Sequence, residues 1–226
     1  MKSSSIWLAA LMIFVAGNAW AAGTPPELAV KVCSTCHGAE GRSIAPTFPE
    51  LAGQKAAYLE TQLHAFRDRS RADPHAQAYM WGMASQLTDD VIKELAEYYA
   101  AQPPAPGTAQ DPAEVAAGQK IYADGVAAEQ VPACVTCHGP KAEGTDIAPR
   151  LAGQHREYLA AQVLAFKDRL RANDVMHENV KNITDEQIRQ VAAYLASQWN
   201  RARGAARRNV ALRPRAEIGT RRIKGR

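Results

Sequence analysis

Two short stretches constrain this chain more than any other feature: Cys33-Ser34-Thr35-Cys36-His37 and Cys134-Val135-Thr136-Cys137-His138. Each reads Cys-x-x-Cys-His, the pattern at which a c-type haem is attached. The spacing has a chemical reason. Two thiols separated by two residues reach the two vinyl groups along one porphyrin edge, and the histidine that follows brings an imidazole under the iron as proximal ligand. The chain has four cysteines, so two haem c groups use every thiol. A single zinc site built from both pairs is the competing reading. The pairs are 101 residues apart, however, and zinc gives no reason for a histidine after each. Cys-x-x-Cys disulfides are the third reading, but redox-active bridges of that kind tend to lack the histidine.

The start of the chain reads as a secretory signal peptide over residues 1–22. Met1-Lys2 supplies positive charge, Ile6 to Gly17 is apolar, and Ala19-Trp20-Ala21-Ala22 offers small residues for cleavage. The apolar run is short for a membrane anchor. Export to the periplasm agrees with the haem reading, because c-type haem is attached outside the cytoplasmic membrane. The remaining 204 residues suffice for two small domains. Each has a modest core of its own, so a buried haem would serve packing as well as redox chemistry.

Net charge is +4, but it is unevenly placed. Residues 23–199 carry 16 basic and 22 acidic side chains, a net of −6, whereas residues 200–226 carry 10 basic and one acidic, a net of +9. The body is acidic. The Arg-rich tail reads as a disordered, solvated extension, and its charge suits transient contact with anionic lipid or an acidic partner. Nucleic acid is not an expected partner for an exported protein.

The body is an internal repeat. Ile44-Ala45-Pro46 recurs as Ile147-Ala148-Pro149, Leu51-Ala52-Gly53-Gln54 as Leu151-Ala152-Gly153-Gln154, and Tyr58-Leu59 as Tyr158-Leu159. Phe66, Asp68, Arg69 and Arg71 recur as Phe166, Asp168, Arg169 and Arg171. A period near 100 residues marks a duplicated domain; solenoid units are shorter. The two domains span 23–101 and 112–199, joined by a stiff Pro-rich linker over 102–111. Both read as all-α. Leu59, Leu63 and Phe66 predict an amphipathic helix within 54–71, and Leu159, Val163, Phe166 and Leu170 predict its partner. The last helix of each unit starts at Thr88 or Thr184, with Thr184 and Gln187 forming a capping box. Its apolar face is read as Val91, Leu95 and Tyr98 in the first copy, and as Ile188, Val191, Leu195 and Trp199 in the second. Asp111-Pro112 opens a helix before the second motif.

The occupant of the sixth iron position separates an electron carrier from a gas binder or peroxidase. Counting back from Leu87 and Ile183, Met80 falls opposite Met176, so these are the candidate thioether ligands. Met83 falls opposite Asn179 and is the alternative in the first copy. His177, beside Met176, reads as an exposed loop histidine, and His64, His75 and His155 have no counterparts and need only surface or packing roles. Met/His ligation fills the iron and raises its potential. Pro46 and Pro149 follow their histidines by nine and eleven residues, close enough for a backbone carbonyl there to accept the other ring N–H and fix the ring.

The chain resembles the dihaem cytochrome c4 family, tandem class I cytochrome c domains, over roughly residues 27–199. The resemblance is carried by CSTCHG, IAPTFPELAGQ and MWGMASQLTDD in the first half and by CVTCHG, IAPRLAGQ and MHENVKNITDE in the second. It implies a one-electron carrier whose domains face each other across a pseudo-twofold axis. It also implies iron pairs of His37 with Met80 and His138 with Met176. Expected partners are a quinol-cytochrome c reductase or a dehydrogenase as donor and a terminal oxidase as acceptor. The readings from another class are a dihaem peroxidase, which needs an open iron, or the haem subunit of a dehydrogenase.

Overall fold

The computed structural model describes residues 26–198. The signal-peptide reading over 1–22, Trp199 and the basic tail over 200–226 lie outside the described residues. The rest is helical, and no strand is formed among the described residues. In the first half, a π-helical turn Ala29–Cys33 runs into α1 (Ser34–His37), followed by α2 (Ala56–Arg67), α3 (Trp81–Ala84) and α4 (Asp89–Ala101). The second half repeats this order as α5 (Pro112–Asp124), α6 (Val135–His138), α7 (Arg156–Lys167), α8 (Asp174–Val180) and α9 (Asp185–Ser197).

Local chemistry accounts for the helix ends. The Asp111 carboxylate accepts from the N–H groups of Ala113 and Glu114 at 2.9 and 3.1 Å, and Pro112 follows as the first helical residue. Thr184 and Gln187 form the reciprocal capping box, while Thr88 caps α4 through the Val91 N–H. The helix expected within 54–71 is shorter than its apolar pattern. It begins after Lys55, whose backbone is extended, and ends at Arg67 because Arg69 turns left-handed at φ 58°. The same reversal at Arg169 closes α7.

In the second half the last helix, α9, packs across α5 and α7, and in the first half α4 packs on α2. The buried face of α4 is Ile92, Leu95, Ala96 and Tyr99, with Val91 and Tyr98 only half-buried. The expected face was thus rotated by one residue, because Ile92 and Tyr99 continue the Leu95 stripe as well as their neighbours do. In the second half Ile188, Val191 and Leu195 are buried as expected, with Ile121, Tyr122, Leu159 and Phe166 in the same core. The Arg156 guanidinium makes two bonds to the Glu114 carboxylate at 2.7 and 2.8 Å, tying α7 to α5.

The linker crosses the seam between the halves. Gly53 and Gly153 sit at φ +68° and +71°, and a Cβ built there would meet the Pro104 ring at 2.5 Å and the Ala105 carbonyl oxygen at 2.7 Å. Glycine is therefore needed twice, for the left-handed turn and for the approach of the strap. Ala105 beneath it is 4% exposed.

Helices α5 and α9 approach even more closely. A Cβ on Gly118 would lie 1.9 Å from the Gln190 carbonyl oxygen and 2.9 Å from Tyr194 Cβ. Gly118→Ala gains helix propensity of about 1 kcal/mol but forces the two backbones apart. The variant is expected to be destabilised by about 1–3 kcal/mol net, read as a lower urea midpoint with an unchanged slope.

Candidate haem sites

Each Cys-x-x-Cys-His motif is one helical turn whose histidine points inward. His37 and His138 are 7% and 6% exposed. Their Nδ1 atoms lie 3.0 Å from the carbonyl oxygens of Pro49 and Pro149. A carbonyl only accepts, so the ring proton sits on Nδ1 and the Nε2 lone pair is left for a metal. Burial lowers both histidine pKa values, only partly opposed by the bond to the proline carbonyl, so the neutral ligating form is favoured.

Pro149 is where the sequence placed it. In the first half the accepting residue is Pro49, and Pro46 is exposed and makes no such bond. The error has a simple origin. Four residues separate Pro46 from Leu51, but one separates Pro149 from Leu151. Counting back from Leu-Ala-Gly-Gln, in place of forward from Ile-Ala-Pro, puts Pro49 opposite Pro149. The extra residues also bring Phe48 edge-on to His37, with ring centroids 6.0 Å apart.

A hydroxyl supports each motif from its other side. Thr145 Oγ1 donates to the Cys137 carbonyl at 2.8 Å, and Ser43 Oγ approaches the Cys36 carbonyl at 3.4 Å. None of the four motif cysteines is paired in a disulfide, and burial raises the Cys33 thiol and takes that of Cys134 up to about 11. Among the described residues, no three His, Cys, Asp or Glu side chains gather as a metal site.

One cavity of about 1030 Å³ runs between the halves, lined by Cys33, Cys36 and His37 on one side and Cys134, Cys137 and His138 on the other. A pocket for one drug-sized ligand holds roughly 300–1,000 Å³. Apolar side chains dominate the walls, among them Leu59, Phe66, Leu95, Leu159, Phe166 and Leu195. Among the described residues, the buried Tyr99 hydroxyl on this wall has no hydrogen-bond partner. A large apolar disc with polar edges, held at its rim by thiols and at its centre by imidazole, fits each half of this space.

Met80 and Met176 also line the cavity and are half-buried, packed against the cores of their own halves. Met83 lines it too but is 60% exposed. His177 differs from expectation. It lies on α8 with its side chain 13% exposed, and its Nδ1 bonds the Phe166 carbonyl at 2.9 Å, which pins α8 to α7. His155 is also more than a surface group, since its Nε2 lies 3.1 Å from the Ser43 carbonyl of the other half.

The seam carries polar groups that no motif announced. Arg71 and Arg171 pair as an isolated antiparallel bridge, and both are 6% exposed. Each guanidinium reaches a tyrosine across the seam, Arg71 to Tyr158 at 3.2 Å and Arg171 to Tyr58 at 2.7 Å. Gln62 and Gln162 each accept from both arginines. Each guanidinium also stacks on a phenylalanine of its own half, Phe66 or Phe166, at 4.6 and 4.5 Å. A single buried carboxylate, Asp73, faces this pair of charges. All of these arginines and tyrosines recur in both copies, which was the available signal.

The family model described as Cytochrome c matches residues 26–101 and 115–199. Cytochrome c-552 of Acidithiobacillus ferridurans is 40% identical over 87% of this chain and 88% of its own length. Cytochrome c4 of Pseudomonas aeruginosa is 36% identical over 82% and 94%. A thiosulfate dehydrogenase electron acceptor of Thiomonas intermedia is 38% identical over 83% and 86%. The solved structure of Acidithiobacillus ferrooxidans cytochrome c4 superposes with a TM-score of 0.70 at 43% identity, covering 73% of this chain and 98% of that one.

The fold and the paired sites thus define a dihaem c-type cytochrome, two cytochrome c domains in tandem with two covalently bound haem c groups, acting as an electron carrier. The chain belongs to the cytochrome c4 family.

Glu50 beside Pro49 gives this region a pH signature. Burial raises its carboxyl to about 7, opposed by the Ser43 N–H and by the charges of Arg150 and Arg42. His155 Nε2 lies 3.7 Å away. The folded chain therefore holds this proton to a higher pH than the unfolded chain does. Unfolding free energy from this group falls as pH rises from about 4.5 to about 7. Glu50→Gln should remove that slope, giving denaturation midpoints that vary less across this window and lie above wild type beyond it.

Proposed function

We propose that the chain is an exported, periplasmic shuttle with both irons coordinatively full. Cys33 and Cys36 hold one haem c through thioether bonds, and Cys134 and Cys137 hold the other. His37 and Met80 would ligate the iron of the first, His138 and Met176 that of the second. The domains are 23–101 and 112–199, with 102–111 as the strap. The observation that carries this reading is the repeated set on one cavity: a buried imidazole with its Nδ1 proton engaged and a half-buried methionine lining the same space.

Bound haem supplies reversible one-electron chemistry at iron. The chain does the rest. The proline carbonyls hold each imidazole in one tautomer and orientation, so Nε2 is presented without rearrangement. The methionine thioethers would favour the reduced metal and the apolar walls would disfavour extra charge, so both would raise the potential. Filled in this way, the metal would have no position open to small substrates, which favours transfer over peroxidase chemistry.

The donor is a quinol-oxidising complex or a dehydrogenase and the acceptor a terminal oxidase or reductase. Contact with them is brief, as redox encounters bury little surface. A dehydrogenase donor has a specific support: one relative over most of this length is named a thiosulfate dehydrogenase electron acceptor.

Potentiometric titration of the full chain, followed optically, tests the reading. Two one-electron waves at high potential are expected, with a Met-to-iron charge-transfer band in the oxidised spectrum. Met80→Ala should lower one wave and Met176→Ala the other. Rapid carbon monoxide binding by the reduced wild type at neutral pH would contradict full ligation.

A further inference from the structure

Both proline carbonyls belong to peptide groups whose other end is held by the opposite domain. The Pro49–Glu50 peptide accepts from His37 at its carbonyl, and its N–H, that of Glu50, donates to Gln154 Oε1 at 2.8 Å. The Pro149–Arg150 peptide accepts from His138, and its N–H, that of Arg150, donates to Gln54 Oε1 at 2.9 Å. Each glutamine also returns a bond: Gln154 Nε2 donates to the Glu50 carbonyl at 3.0 Å and Gln54 Nε2 to the Arg150 carbonyl at 2.9 Å.

The two glutamines are well held. Each is 8% exposed. Gln54 Oε1 accepts a second bond from Lys55 N–H at 2.9 Å, and Gln154 Oε1 accepts one from His155 N–H at 3.0 Å. Their orientation is forced, since a flipped amide would turn its NH₂ toward two N–H donors and its oxygen toward a carbonyl.

A peptide that accepts at oxygen and donates at nitrogen is polarised by both bonds, and each strengthens the other by about 10–30%. Donation from Glu50 N–H to Gln154 thus makes the Pro49 carbonyl a better acceptor for His37. A stronger bond at Nδ1 makes the imidazole a stronger donor at Nε2.

We propose that Gln54 and Gln154 are crossed positioning residues: each sets the basicity and orientation of the ligating histidine in the other domain, through the Pro149–Arg150 and Pro49–Glu50 peptides. This rests on the assignment of His37 and His138 as iron ligands. It gives the Leu-Ala-Gly-Gln repeat a redox role beyond its turn. It also makes the potential of each haem depend on the docking of both domains.

The test uses the full-length holoprotein. Gln154→Ala should raise the potential of the haem on His37, changing its reduction equilibrium constant on the order of threefold or more, and leave the haem on His138 nearly unmoved. Gln54→Ala should do the reverse. The waves are assigned by repeating each titration in a Met80→Ala background. NMR of the reduced protein should show the ring Nδ1–H of His37 moving upfield in Gln154→Ala, and that of His138 in Gln54→Ala. Gln154→Glu keeps an oxygen for the Glu50 N–H and should return the His37 haem to the wild-type potential or below it. A role confined to bracing the start of α7 would instead move the haem of the glutamine's own half. That outcome, equal movement of both waves, or no movement, overturns the proposal. The wild type separates the two levels of inference. If it lacks two high-potential waves, the ligation itself is wrong; a normal wild type with uncrossed shifts removes only the glutamine role.

Discussion

A neutral imidazole has one N–H, and in each half of this protein it is committed to a proline carbonyl at 3.0 Å. That commitment decides which nitrogen faces the cavity, so the position of the carbonyl matters as much as that of the histidine. The carbonyl is placed by a short turn that folds back on the segment after the motif. The N–H groups of Leu51 and Ala52 both donate to the Gly41 carbonyl, and those of Leu151 and Ala152 to the Ala142 carbonyl. The turn is then fastened to the last helix, Gly53 N–H to Tyr99 and Gly153 N–H to Leu195. Motif, turn and terminal helix form one closed loop of bonds in each copy. A shift in the packing of α4 or α9 would thus be transmitted to the ring of His37 or His138.

The seam between the copies obeys a different logic. Two guanidinium groups are buried beside one carboxylate, and removing charges from water costs several kcal/mol per ion unless geometry restores it. Here it is restored by a cage of acceptors drawn equally from both halves. Tyrosine oxygens and glutamine carbonyls take most of the N–H groups, and the aromatic faces of Phe66 and Phe166 cover the planes. Apolar contact alone would let the halves slide. Planar donors meeting fixed acceptors admit one register, so the seam contributes orientation more than stability.

Much of this architecture was legible in the chain because it rests on short-range chemistry. The Cys-x-x-Cys-His turns, the Asp111 and Thr184 caps and the duplication all depend on residues a few positions apart. Three kinds of feature were not legible. A change of loop length hid the equivalence of Pro49 and Pro149, because a forward count from Pro46 cannot register added residues. The face of α4 was ambiguous, since apolar side chains at Val91, Ile92, Tyr98 and Tyr99 satisfy two adjacent helical stripes. The partners of Gln54, Tyr58 and Arg71 lie 96, 113 and 91 residues away, so their recurrence in both copies marked them without saying what they touch.

The departures from symmetry explain why two similar sites need not behave alike. Asp73, bonded to Arg71 at 2.8 Å, has Asn173 as its counterpart, which caps α8 through the Met176 N–H. Glu50 has Arg150 as its counterpart, and Phe48 has Ala148. A unit charge in a partly buried setting acts on another with about 4 kcal/mol at 4 Å for an effective dielectric of 20, and the effect falls inversely with distance. Buried charges that differ between the halves are therefore felt across the seam even where they touch neither histidine. If both irons took the proposed His/Met set, the metal and its first partners would contribute equally to both potentials. Exchanged side chains of this kind then give each haem its own surroundings, which is how a duplicated domain can give an electron a direction of travel.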